Sequence, residues 1–225
     1  MQQDFLHTAV LLFSRTARQE AAAKPLAKGR QNVQVTTALI RNVRAQVKRS
    51  GMPLIHTPRQ VEGDFGFRFQ YAVQQAFEQG FENILVVGND CPSLSVADLR
   101  HAAALLQDSP IVVGPARDGG AYLIGFSRAA FEATSWQELP WCTGELFVSL
   151  QQKIKGVGLQ CQVLPVKADL DTHNDLQKVL LQKLPSLAVL KNLTQRIPDI
   201  ICFVQATFLC WLAAQQGFRG PPSLR

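Results

Sequence analysis

Ile84-Leu85-Val86-Val87-Gly88-Asn89-Asp90 is an unbroken apolar run that ends in glycine, asparagine and a carboxylate. Strands that face water on one side alternate apolar and polar residues. A run apolar throughout belongs to a strand covered on both faces, as in a parallel sheet flanked by helices. The pattern extends in both directions. Thr8 to Ser14, Met52 to His56, Ile111 to Gly114, Ala121 to Phe126 and Leu159 to Val166 read as further strands. Between them, Val33 to Arg49 repeats Val35, Leu39, Val43 and Val47 at helical spacing. Gly66 to Gln79 carries Phe69, Val73, Ala76 and Phe77 on one face and stops at Gly80. Ser95 to Leu106, Thr143 to Lys153 and Thr172 to Gln182 complete the helices, the first capped by Ser95. Strands interleaved with helices predict an α/β fold, a three-layer α/β/α sandwich with a mostly parallel central sheet. In such sheets ligands bind beyond the carboxyl ends of the strands. That is where Asp90 lies.

The chain has 225 residues, enough for one domain with a sizeable core. A single domain over residues 1–225 is expected, with its core over about 8–185 and a helical C-terminal extension over about 186–225. No secretory signal is legible, because Asp4 stands where a basic n-region would be and the run Ala9 to Phe13 is short. The apolar stretch from Ile200 to Ala214 is interrupted by Gln205 and Thr207 and falls below the length of a spanning helix. It suits a terminal helix that is buried or pairs two copies in a homodimer, and membrane association is not expected. Five cysteines, with no CxxC pair, favour neither a zinc site nor a disulfide framework. A reducing, cytoplasmic setting is expected.

The net charge is +6, and it is concentrated at the front. The first fifty residues hold nine Lys/Arg against two Asp/Glu. A nucleic-acid binder would stripe that charge and interleave aromatics for stacking. Arg41, Arg44 and Lys48 instead fall on one helix face, which reads as a solvated surface. Arg15, Arg18, Lys24 and Lys28 follow the first strand directly, a position suited to an anionic small molecule. No nucleic-acid partner is expected.

Three segments place chemistry at strand ends. In Val86 to Leu94, Asp90 can ligate a hard cation, Mg²⁺ or Mn²⁺, that neutralises a diphosphate. The competing reading is a helix cap, a task better suited to Ser93 or Ser95. In Gly114 to Tyr122, Gly119 and Gly120 let the backbone approach a ligand or adopt positive φ, beside the charged pair Arg117-Asp118. Taken alone, Asp118-Gly119 is also a hairpin signal. In Ala168 to Leu176, Asp169 and Asp171 put two carboxylates at the sheet's rim, and either can be a further metal ligand. Thr172 and Asp175 fit a capping box, so Asp175 reads as structural.

Together these segments resemble the nucleotide-diphospho-sugar transferases of the GT-A type. Within them they are similar to a bacterial glycosyltransferase-like group found with radical-SAM proteins, domain of unknown function 2064. The resemblance rests on Gly88-Asn89-Asp90-Cys91-Pro92-Ser93-Leu94, on Gly114 through Gly125, and on Asp169 through Leu176. Asp64-Phe65-Gly66-Phe67-Arg68-Phe69 resembles the group's acidic-Gly-Arg helix start. A wider likeness reaches the nucleotidyltransferases of molybdenum-cofactor and deazaflavin-coenzyme synthesis. The resemblance implies that Asp90 and Asp171, with Asp169 beside them, bind Mg²⁺ or Mn²⁺. It also implies that the first loop, with Ser14, Arg15 and Lys24, receives a nucleotide's phosphates and base, helped by Arg68, Gly119 and Gly120.

The first loop departs from that group's pattern. Phe13 to Leu26 keeps Arg15 and Lys24 but lacks the glycine, and Ala21-Ala22-Ala23 is helical by propensity. A helix start there can present N–H groups to phosphate. The expected activity is metal-dependent glycosyl transfer from a nucleoside diphosphate sugar to an acceptor whose identity the sequence leaves open. Asp118 is the candidate base and Glu145 the second. Nucleotidyl transfer to a phosphorylated acceptor ranks lower, because it normally uses a glycine-rich first loop. A nucleotide-binding scaffold without catalysis is the third reading, kept alive by the same altered loop.

Overall fold

The computed structural model describes residues 7–181. Six strands form one sheet: β1 (Thr8–Leu12), β2 (Leu54–His56), β3 (Asn83–Val87), β4 (Ile111–Pro115), β5 (Ala121–Ser127) and β6 (Cys161–Val163). Their spatial order is β2-β1-β3-β5-β4-β6. β1 pairs parallel with β2 and β3, and β4 pairs parallel with β6. Only β5 runs the other way, antiparallel to both β3 and β4. The Asp118-Gly119 signal therefore acts as the turn of a β4–β5 hairpin, closed by Ala116 N–H donating to Gly120 O at 3.0 Å.

The helices are α1 (Ala17–Ala23), α2 (Arg30–Ser50), α3 (Phe65–Phe77), α4 (Val96–Asp108), α5 (Arg128–Glu132), α6 (Leu146–Gly156) and α7 (His173–Leu181). Alternate strand residues feed two cores, as the pleat requires. Ala9, Leu11, Ile84, Val86, Ile111 and Val113 pack with α3, α5 and α6. Val10, Leu12, Leu85, Val87 and Val112 pack on the other face with α2 and α4. Burying each large side chain of this kind is worth about 1.5–3 kcal/mol, so the unbroken apolar strands hold both helical layers. A third, smaller cluster joins Leu26 and α2 to Leu170, Leu176 and Val179. It docks the first loop against α7.

Some boundaries differ from those expected. β1 ends at Leu12, so Phe13 and Ser14 belong to the loop. β6 is only Cys161–Val163, because the edge beyond it is exposed at Val166 and Pro165 has no N–H to give a ladder. α6 starts at Leu146 rather than Thr143, where Leu146 N–H closes a turn onto Thr143 O. Ser95 and Asp98 form a reciprocal capping box on α4, which leaves Asp90 free of that task. Thr172 and Asp175 cap α7 as expected. Among the described residues no helix is long and apolar enough to cross a membrane. The expected terminal helix over about 186–225, with Cys202 and Cys210, lies outside the described residues.

Candidate functional site

The carboxyl ends of the parallel strands converge on one cleft of about 570 Å³. Backbone bonds, more than side chains, bring its walls together. Leu170 N–H donates to Asp90 O at 2.8 Å, so the loop after β3 and the loop after β6 are tied. Arg117 N–H donates to Lys167 O at 2.9 Å and Lys167 N–H to Pro115 O at 3.1 Å, which ties the hairpin to the same loop. Lys167 Nζ adds a bond to Ser93 O at 3.2 Å and an ion pair with Asp98 at 3.0 Å. Gly88 leaves room for the Asp90 carboxylate, since a Cβ there would stand 2.6 Å from Asp90 Oδ1 and push it aside.

The carboxylates meet at Lys24. Its Nζ lies 2.6 Å from Asp90 Oδ2 and 2.7 Å from Asp171 Oδ1. Burial alone would lower the pKa of this ammonium, but the charge of Asp90 and hydrogen bonds to Asp171 and Asp90 outweigh it and hold the pKa above the ordinary lysine value. Asp169 sits deeper. Burial, then the charges of Asp90, Asp118 and Asp171, push its pKa up to about 8 against the opposing pull of Lys24. Its Oδ1 is buried without a hydrogen-bond partner.

A testable pH dependence follows. Between about pH 4 and pH 8 the folded chain keeps a proton on Asp169 that the unfolded chain has lost, so stability falls as pH rises through that window. Asp169→Asn is expected to remove the effect. In EDTA, the melting temperature of the variant minus that of wild type should grow from pH 5 to pH 8. A difference that stays constant over that range would contradict the assignment.

The first loop explains itself only in three dimensions. α1 is capped by Thr16, whose side chain and Gln19 form a capping box. Arg15 N–H donates to Glu20 Oε1 at 2.7 Å, and the Arg15 guanidinium meets the same oxygen at 3.2 Å. The helix start thus spends the amides of Arg15, Thr16 and Gln19 on its own side chains. These three amides are therefore not offered to phosphate. In place of glycine-rich backbone, the buried Asn32 holds the Lys24 turn. Its Oδ1 accepts from Leu26 and Ala27 at 3.0 and 3.1 Å, and its Nδ2 donates to Ala21 O at 2.5 Å and Lys24 O at 2.9 Å.

Of the expected site residues, Arg15, Lys24, Arg68, Asp90, Asp118, Gly120, Asp169 and Asp171 line the cleft. Three do not. Ser14 is buried and its hydroxyl donates to Arg15 O at 3.0 Å. Gly119, at φ 89, faces Gly144, where a Cβ would stand 1.9 Å from the carbonyl oxygen. Glu145 is exposed at the start of α6. From its loop, Trp141, Cys142 and Thr143 line the wall instead. Cys142 has φ 61, positive without being glycine, and burial raises its thiol pKa. Arg18 and Lys28 are exposed away from the cleft.

The sequence reading missed Glu20, Gln60 and an aromatic wall. Phe13, Phe65, Phe69 and Trp141 pack edge-on or tilted, with ring centroids 4.5–5.7 Å apart in the closest pairs. Arg68 rises beside Phe65, donating to Gln60 Oε1 at 2.7 Å and Asp64 O at 3.2 Å. Among the described residues Arg68 has no carboxylate partner. The only advance signal was the run of aromatics at the start of α3.

Asp118 Oδ1 accepts from Gly120 N–H at 2.9 Å, so it stabilises its own turn as well as facing the cleft. Counted together, the lining carries five carboxylates (Glu20, Asp90, Asp118, Asp169, Asp171) and three cations (Arg15, Lys24, Arg68). Such a cleft repels an anion unless another cation enters or a carboxylate holds a proton. Among the described residues no three acidic, thiol or imidazole side chains stand arranged around a common metal position. The ammonium of Lys24 stands between Asp90 and Asp171 instead. The donor set nevertheless suits a hard divalent ion: oxygen ligands, one of them buried and unpartnered, around a point that already holds a positive charge.

A family model described as "Uncharacterized protein conserved in bacteria (DUF2064)" matches residues 17–143. The chain belongs to this family. The matched span contains Lys24, Arg68, Asp90 and the hairpin of Asp118, while Asp169 and Asp171 lie beyond it. Among solved structures, this DUF2064 chain is similar to a Desulfovibrio desulfuricans G20 protein described as a candidate nucleotide-diphospho-sugar transferase. The two share 18% identity with a TM-score of 0.71, over 87% of this chain and 98% of that one. It is also similar to Rv0371c of Mycobacterium tuberculosis H37Rv, at 16% identity and a TM-score of 0.50, over 79% and 98% of the two chains. A manganese complex of Rv0371c gives 19% identity and a TM-score of 0.47, over 76% and 96%. No curated protein matches the DUF2064 chain. Its fold is that of the nucleotide-diphospho-sugar transferases, the GT-A type.

Proposed function

We propose that this DUF2064 chain is a glycosyltransferase that takes a nucleoside diphosphate sugar as donor in a metal-dependent reaction. The observation that carries the reading is the convergence of Asp90, Asp169 and Asp171 with Lys24 at the carboxyl edge of the sheet. The similarity to a candidate nucleotide-diphospho-sugar transferase over most of both chains supports it. A Mg²⁺ or Mn²⁺ ion held by Asp90 and Asp171, with Asp169 beside them, would supply charge stabilisation for a departing diphosphate.

The chain's own residues divide the remaining work. Lys24, and Arg15 where it shares its charge with Glu20, offset negative charge on the phosphates, and they count for most in a water-poor cleft. The aromatic wall of Phe65, Phe69 and Trp141 excludes water and offers a flat surface to a base or sugar. Asp118 is the candidate base. An acceptor hydroxyl would attack the anomeric carbon, its proton would pass to the Asp118 carboxylate, and the bond from that carbon to the diphosphate would break. Asp118 has one oxygen committed to Gly120 N–H, which aims the carboxylate without neutralising it. Glu145 lies outside the cleft and has no part in this scheme.

Thermal unfolding with a panel of nucleotides tests the reading. UDP-sugars, GDP-sugars and nucleoside triphosphates are each added with and without Mn²⁺. Stabilisation by a diphosphate sugar that requires the metal is the expected result, about 2.7 kcal/mol at a hundredfold excess over Kd. A response confined to triphosphates would replace glycosyl transfer by nucleotidyl transfer. No response to any nucleotide would leave a scaffold.

A further inference from the structure

The geometry points to Lys24 as a built-in counter-cation that holds the Asp90–Asp171 pair until a divalent metal displaces it, so that metal and diphosphate are taken up together. The inference rests on the metal–diphosphate reading above and adds an order of events to it. One ammonium within 2.6 and 2.7 Å of two carboxylates occupies the point to which both oxygens are directed. A divalent ion cannot share that point with a full positive charge at contact distance. Lys24 must therefore leave when the ion enters.

The backbone is built for such an exchange. Lys24 ends α1, and its carbonyl is gripped by Asn32 while the neighbouring Leu26 and Ala27 amides are held by the same side chain. The anchor fixes the Cα and leaves a four-carbon stem to swing the ammonium. Of the other lining carboxylates, Glu20 is already paired with Arg15 and Asp118 accepts from its own turn, so a displaced ammonium gives up two close anionic contacts at once. A diphosphate entering with the metal supplies the anion that Lys24 loses. Free metal meets a competitor, whereas metal accompanied by diphosphate offers the competitor a new partner. Binding of the two is then coupled, and by linkage the coupling is reciprocal.

Manganese binding, read from the electron paramagnetic resonance signal of free Mn²⁺, tests this without an enzymatic assay. Wild type, Lys24→Met, Lys24→Gln, Lys24→Arg and Asp90→Asn are titrated as full chains, with and without UDP or GDP. Lys24→Met should bind Mn²⁺ about tenfold or more tighter than wild type when no nucleotide is present. It should also gain less from added diphosphate than wild type does. Lys24→Gln, which drops the charge but keeps a hydrogen-bonding side chain, should follow it, and Lys24→Arg should stay near wild type. Equal or weaker Mn²⁺ binding by both neutral variants overturns the exchange. If Asp90→Asn loses Mn²⁺ while the neutral variants match wild type, the exchange fails and the metal site stands. If no chain binds Mn²⁺, both fail together.

Discussion

Asp90→Asn is expected to abolish the metal-dependent stabilisation by nucleotide, lowering Mn²⁺ affinity by more than about a hundredfold. Residues that merely orient a metal ligand cost ten- to a hundredfold when replaced. A carboxylate proposed to touch the ion should exceed that range. The substitution keeps size and shape, so the loop after β3 retains its Leu170 bond to the Asp90 carbonyl and the Gly88 turn is undisturbed. What disappears is one of the two negative partners of Lys24. If Asp90 only pairs with Lys24, the variant loses a little thermal stability and keeps its full Mn²⁺ and nucleotide response. A retained response would therefore sink the assignment of Asp90 to the metal. Calorimetric titration of Mn²⁺ and the nucleotide panel read the two cases apart.

Gly119→Ala is expected to be strongly destabilising, by about 3–5 kcal/mol when left-handed strain and steric overlap are taken together. At φ 89 an added Cβ is already strained. It would also stand 1.9 Å from Gly144 O and 2.6 Å from Gly144 C, which are backbone and cannot rotate away. The hairpin would have to part from the 142–145 loop and break the bond from Phe147 N–H to Gly119 O. For a chain of this size the melting temperature should fall by about 10 °C or more. Gly156→Ala is the matched control. A Cβ there meets nothing within 4 Å, and alanine is the better helix former. Equal denaturation midpoints for the two variants would refute the packing role of Gly119.

Much of the architecture was legible because burial on both faces leaves a mark on each strand. Ile84 to Val87 and Ile111 to Val113 have no polar residue to spare, and the structure places each between two helical layers. Helix starts were legible at Ser95 and Thr172, where a local side chain answers the free amides, but those of the short α1 and α5, capped by Thr16 and Ser127, were not. Short edge elements were not. β6 is stopped by an exposed edge and Pro165, features of its place in the sheet rather than of its own apolar run.

Within the site, residue type and position at strand ends identified Asp90, Asp118, Asp169 and Asp171, since a carboxylate at a buried rim is costly without a cation or a proton. Ser14, Gly119 and Glu145 do not line the cleft, because neighbours in the sequence do not share a direction in space, although Gly119 does take the positive φ that its glycine allows. Ser14 turns inward beneath the loop, Gly119 turns to Gly144, and Glu145 turns to solvent. Glu20, Asn32 and Gln60 carried no signal, as each acts only on a partner brought to it by the fold.

The amino-acid sequence by itself determined the α/β class, the strands and the carboxylates at their ends, because periodicity and burial are local properties of a chain. Tertiary structure alone decided which charges meet. Lys24 and Asp90 are 66 residues apart, and their contact depends on a glycine-less loop that Asn32 holds in place. Coulomb energy falls with distance in space and is blind to distance along the chain, so the pairing that governs this cleft could be read only once the chain was folded.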